Sequence, residues 1–192
     1  MNTEAIFQEL QKITESSIDS VQKKFSKLTD NQLDWRPNSE TWSIREIFAH
    51  INEYVLFYHP AFLKKIDTTR FKDAKENFVS SPLGRSAWKM MKLGNAKNVK
   101  RKFRAAKLYN PQIVQSIVKP TAINDFIDSQ HEFLVILEKA KTINIRKSKI
   151  GISISKIIRL RFGDGLLFVV YHNERHVQQA LNLLNHRGFP TK

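Results

Sequence analysis

The chain has 192 residues, 41% hydrophobic and 26% charged, with 32 Lys+Arg against 18 Asp+Glu and a net charge of +14. It is long enough to bury a substantial core, and its composition is ordinary for a globular protein. The absence of cysteine excludes disulfides, thiolate metal ligands and a Cys nucleophile together, so any metal site must be built from His, Asp and Glu.

The longest unbroken apolar run, Leu166 to Tyr171, falls far short of a membrane span. The opening "MNTEAIFQEL" lacks the basic head and apolar core of a secretory signal. The expectation is one cytoplasmic domain over residues 1–192. The charge surplus is local: Lys64 to Lys119 holds 15 basic residues and 3 acidic ones, and the remainder is nearly balanced.

In chain order, Thr3 to Leu28 carries Ile6, Leu10, Ile13, Val21, Phe25 and Leu28 at helical spacing, and the turn-rich "LTDNQLDWRPNSET" follows. In "SIRE", Ser43 and Glu46 form a capping box that starts a second helix with the stripe Ile47, Phe48, Ile51, Val55, Phe62. Pro60 predicts a kink or break in it near Tyr58, beside His59. The basic elaboration, 64–119, contains Pro82, Gly84, Gly94 and Pro111. A structureless loop of that length is unusual, so one or two short helices are expected in it, around "RSAWKMMKL". Thr121 to Lys141 reads as a third helix and Gly163 or Asp164 to His186 as a fourth, with Gly188 and Pro190 as stop signals. Between them, "IGISISKI" alternates with period two and suits a short strand or an extended crossing. The fold class expected is all-α: a four-helix bundle with long crossover connections and a basic, partly irregular insertion between the second and third long helices.

"YHNERHVQQ" places His172 and His176 one turn apart on one helix face, where two rings can grip a single ion. Chance alone gives such a pair in about one chain in six with this histidine content, so the spacing needs support. His176 shares a stripe with Leu166, Val169, Ala180 and Leu183, and His50 flanks the stripe of the second helix. A ligand from a separate helix is what closes a site inside a bundle. His131 is the remaining candidate for a fourth ligand, and His186 suits a helix C-terminus. Glu174 lies about 200° around the helix from His172 and points away. Glu53 and Tyr54 follow His50 at helical spacing, which makes Glu53 a candidate base. Gln179 can orient the His176 ring, and Arg175 can meet an anionic substrate or form a surface ion pair.

"LDWRPNSETWSIREIFAHINEY" and "FGDGLLFVVYHNERHVQQALNLL" together resemble the DinB-like superfamily of metalloenzymes, whose pattern is a Trp–Ser helix start, one His, then His-x-x-x-His with a trailing Gln. Trp42, Ser43, His50, His172, His176 and Gln179 carry the match. The resemblance implies a four-helix bundle whose three histidines hold one divalent metal, zinc or nickel, and makes a homodimer reasonable. Three ligands leave a coordination position open, as in catalytic sites. Water there gives hydrolysis of a small-molecule substrate, and a thiol co-substrate gives S-transfer. The alternative expectation is a non-enzymatic module whose 64–119 segment, basic and interleaved with Trp88, Phe103 and Tyr109, engages nucleic acid or an anionic surface.

Overall fold

Asn2 opens the first helix by accepting the Ala5 N–H, and the chain then alternates long helices with capped turns. The structure, a computed structural model, describes residues 1–94 and 104–191. Its elements are α1 (Thr3–Lys24), α2 (Asp30–Asp34), α3 (Ile44–Thr68), α4 (Pro82–Met91), α5 (Ala122–Ala140), β1 (Lys149–Ile152), β2 (Ser155–Arg161) and α6 (Phe162–Leu184). One-turn 3-10 helices lie at Lys107–Tyr109 and Gln115–Ile117. Helices α1 and α3 each pack on both α5 and α6, while α1 and α3 stay on opposite corners. This is the four-helix bundle expected from the periodicity.

Four features refine the reading of the chain. The first helix ends at Lys24, with Phe25 as its C-cap. The period-two stretch is an antiparallel hairpin, β1 with β2, pairing Ile150 with Leu160 across a register shift at Gly151/Ile152. Pro60 does not break α3, which runs unbroken from Ile44 to Thr68. Pro60 and Leu56 lie one turn apart on the exposed side, so water can take up the carbonyl that the missing N–H leaves free. Tyr58, His59 and Phe62 meanwhile hold the other side in the core. The basic elaboration begins inside α3 and contains α4 at the expected place. Its densest charge, Lys97, Lys100, Arg101 and Lys102, lies outside the described residues.

Helix α4 packs on α6 through Gly84 and Trp88, one turn apart. Gly84 is required by proximity: a Cβ there would stand 2.1 Å from Asp164 Oδ2. That carboxylate is fully buried and accepts from the Ser81 N–H at 3.0 Å and the Ser81 hydroxyl at 2.9 Å, which ties the start of α4 to the start of α6. Two apolar clusters fill the bundle. One is centred on Leu10, Phe62, Phe133 and Leu166, the other on Val21, Phe48, Phe126 and Ala180. In α6 the segment between these clusters carries His172 and His176, and in α3 His50 lies between Phe48 and Ile51 of the second cluster.

Two stability predictions follow from this packing. Gly84→Ala overpacks the α4–α6 contact and should cost roughly 2 kcal/mol or more in denaturant unfolding. His59 is buried against Phe133, with its Nδ1 3.3 Å from Glu132 Oε2. Burial pushes its pKa below the ordinary 6.5, against the opposing pull of Glu132. The unfolded chain therefore binds a proton at this position more readily than the folded one, so the stability contribution is complete above about pH 6.5 and is lost as the pH falls. His59→Phe should accordingly lose less thermal midpoint between about pH 7 and about pH 5 than the parent chain does.

Candidate metal centre

The start of α3 is fixed by several polar contacts. Ser43 Oγ accepts from the Glu46 N–H at 3.2 Å, and the Ser43 N–H donates to Glu46 Oε2 at 2.8 Å. Arg36 donates to the other Glu46 oxygen at 2.6 Å. Arg45, buried at the same turn, donates to Asp34 Oδ1 at 2.6 Å, Asp30 Oδ1 at 2.5 Å and the Pro120 carbonyl at 3.0 Å. These contacts join α2, α3 and the approach to α5, and they set the rotation of α3 that turns His50 inward two helical turns later.

On α6, His172 and His176 face His50 across the bundle. One ring nitrogen from each of the three lies within 4.8 Å of the others. The His50 and His172 Nε2 atoms are 3.3 Å apart. Two nitrogens on a tetrahedral zinc at 2.0–2.1 Å stand about 3.4 Å apart, so one edge of a coordination triangle is already at the right length. The other ring nitrogens show how two of the imidazoles are oriented. His50 Nδ1 donates to the Tyr109 carbonyl at 2.5 Å, and because a carbonyl only accepts, the His50 Nε2 lone pair is left for the cluster. His176 Nδ1 donates to Gln179 Oε1 at 3.0 Å, with the same consequence. His172 Nδ1 is buried with no hydrogen-bond partner among the described residues.

The electrostatics agree with a site of neutral nitrogen donors. Burial holds His50 down to about 4. Burial and the neighbouring His50 hold His172 down to about 3. Burial, with His172 and His50 beside it, keeps His176 well below its ordinary value. All three rings are therefore neutral at pH 7 and ready as ligands, whereas protonated rings this close would repel one another.

Aromatic rings enclose the cluster. Trp42 stacks on His176 at 6.2 Å between centroids and lies 4.9 Å from His50. Tyr54 sits 4.4 Å from His172 and 5.0 Å from His50, and Phe168 stacks on His172 at 5.6 Å. Burial, then Tyr58 and Tyr109, pushes the Tyr54 phenol up to about 12, so it stays a hydrogen-bond donor. The Tyr54, Tyr58 and Tyr109 hydroxyls gather at Ser153 in the hairpin turn, where Tyr109 donates to the carbonyl at 3.3 Å.

Tyr54 and Gln179 are thus in contact with the histidines. Glu53 instead lines a groove between α3 and α5 with Leu56, Asp125, Asp128 and Glu132. Arg175 is buried, not a surface residue, and its charge helps to depress His172 and His176. His131 is exposed and outside the cluster. His186 lies past the end of α6, against Trp35. Sequence reading missed the Tyr109 carbonyl, which no pattern announces because a backbone atom does the work. It also missed Phe168 against His172, a pair whose four-residue spacing was visible.

The DinB superfamily model matches residues 13–180, and the chain belongs to that superfamily. Among curated proteins it is 35% identical over 75 residues to the Bacillus subtilis (strain 168) protein named "Uncharacterized protein YuaE", a match covering 39% of each chain. No solved structure matches. The Trp42–Ser43 helix start and the three histidines lie within the matched span.

Arg45→Ala should lower unfolding stability by about 1–3 kcal/mol, because it removes a buried donor shared by two carboxylates and a carbonyl. Equilibrium denaturation checks this.

Proposed function

We propose that the chain is a metal-dependent enzyme acting on a small molecule, with His50, His172 and His176 as the ligands of one divalent ion, zinc or nickel. The observation that carries this reading is the convergence of three neutral imidazoles from two helices, His50 and His172 buried and His176 half-buried, two of the three with the outer nitrogen already hydrogen-bonded. Metal-bound histidines nearly always have such an outer partner. Among the described residues no carboxylate joins the cluster, so the donor set is three nitrogens, the open type of site. An ion held there supplies Lewis acidity, lowering the pKa of water or a thiol and polarising a substrate carbonyl. Hydrolysis and S-transfer to an electrophile are the two reactions this supports.

The chain's own residues do the rest. Trp42 and Phe168 cover the imidazole faces and exclude water from them. Gln179 and the Tyr109 carbonyl fix which nitrogen of His176 and His50 carries the proton. Tyr54, protonated through the physiological range and in contact with two of the rings, would serve as a donor to a substrate oxygen. It takes the position beside the histidines that sequence spacing also offered to Glu53. Glu53, lining the α3–α5 groove, has no such support as a base.

Elemental analysis after gentle purification tests the reading. The parent chain should carry about one divalent ion, and His50→Ala and His176→Ala should each lose it while far-UV helicity is retained. Unchanged metal content in both variants would refute the assignment. Gln179→Ala should keep the ligands but weaken metal affinity by roughly 10–100-fold, measured by competition with a chelator.

A further inference from the structure

The β1–β2 hairpin carries a feature that the histidine site does not use. From Lys139 to Gly163 the chain has eight Lys and Arg and no Asp or Glu. Arg146, Lys147, Lys149, Lys156 and Arg159 are exposed there, and none of the five forms an ion pair among the described residues. Set among these charges are the most exposed aliphatic side chains of the region: Ile157 at 89% and Ile154 at 65%, with Ile158 also exposed. Strand alternation puts Ile157 and Arg159 on the face opposite Leu160, the residue that anchors β2 in the core. Leu108, 74% exposed, stands next to Tyr109, whose hydroxyl is tied to Ser153 in the hairpin turn.

The geometry points to this hairpin as a docking surface for an anionic lipid bilayer, with Ile154 and Ile157 entering the boundary between headgroups and acyl chains and the surrounding lysines and arginines lying on the headgroups. A cationic rim around aliphatic tips is what an interfacial anchor requires, and no helix of the described residues is long and apolar enough to cross a membrane. A polynucleotide would satisfy the charges but leave the isoleucines in water, and β1 and β2 contain no aromatic ring on which a base could stack. A second copy of the same hairpin would bring two uncompensated positive surfaces together. The lipid surface alone accounts for both the charge and the exposed aliphatic groups.

Flotation of the full chain with vesicles tests this. Phosphatidylcholine vesicles containing about 30% phosphatidylglycerol should carry the protein at roughly 0.05 M salt and release most of it at roughly 0.5 M, and vesicles of phosphatidylcholine alone should not carry it. Replacing Ile154→Ser and Ile157→Ser together should reduce partitioning roughly tenfold with the unfolding midpoint unchanged. Lys156→Gln with Arg159→Gln should reduce it as well. Absence of flotation, or full partitioning by the isoleucine variant, would overturn the proposal. So would tight binding of duplex DNA that ignores the isoleucines, or a change of mass in solution when they are replaced, which would assign the surface to nucleic acid or to self-association.

Discussion

Three imidazoles, two buried and one half-buried, that meet where α3 faces α6 are the constraint around which the rest of the bundle is organised. Polar rings set against apolar clusters are costly unless their nitrogens find partners. Here the Tyr109 carbonyl and the Gln179 side chain serve His50 and His176, while His172 Nε2 lies beside His50 Nε2 and its Nδ1 has no hydrogen-bond partner among the described residues. Protonation would worsen the arrangement, and burial accordingly keeps all three rings neutral. A shared cation would turn this arrangement from a liability into a binding site, and the three-histidine group could hold one.

Much of the remaining architecture keeps those rings in register. The Ser43–Glu46 capping box and the Arg45 contacts to Asp30, Asp34 and Pro120 determine where α3 begins and how it is rotated. Asp164 joins the first turn of α6 to α4 through Ser81, with Gly84 leaving room for the carboxylate. The 3-10 turn at Lys107–Tyr109 closes over His50 and, through the Tyr109 hydroxyl, meets the hairpin turn at Ser153. The basic elaboration is therefore part of the site's wall as well as a source of charge, and the hairpin's exposed isoleucines lie close to the same wall.

The four long helices were legible because their apolar residues repeat with helical period and their ends carry caps. His50, His172 and His176 were legible because two share one turn and the third lies in a Trp–Ser-led helix. What the sequence could not show depends on contacts without a pattern. Pro60 suggested a break, yet it falls on the exposed side of α3, where a lost backbone hydrogen bond can be replaced by water and tertiary packing prevails. Spacing placed Glu53 and Tyr54 equally near His50, but one residue of difference is about 100° of rotation, and that sends Glu53 to the α3–α5 groove and Tyr54 to the histidines. Arg175 looked like a surface charge and is buried.

X-ray absorption at the zinc edge of the zinc-titrated protein tests the central claim most directly. The account predicts one ion per chain with three imidazole nitrogens at about 2.0–2.1 Å, and one fewer imidazole, or no stable binding, in His172→Ala. Zinc held by carboxylates, or a first shell unaltered in His172→Ala, would contradict it.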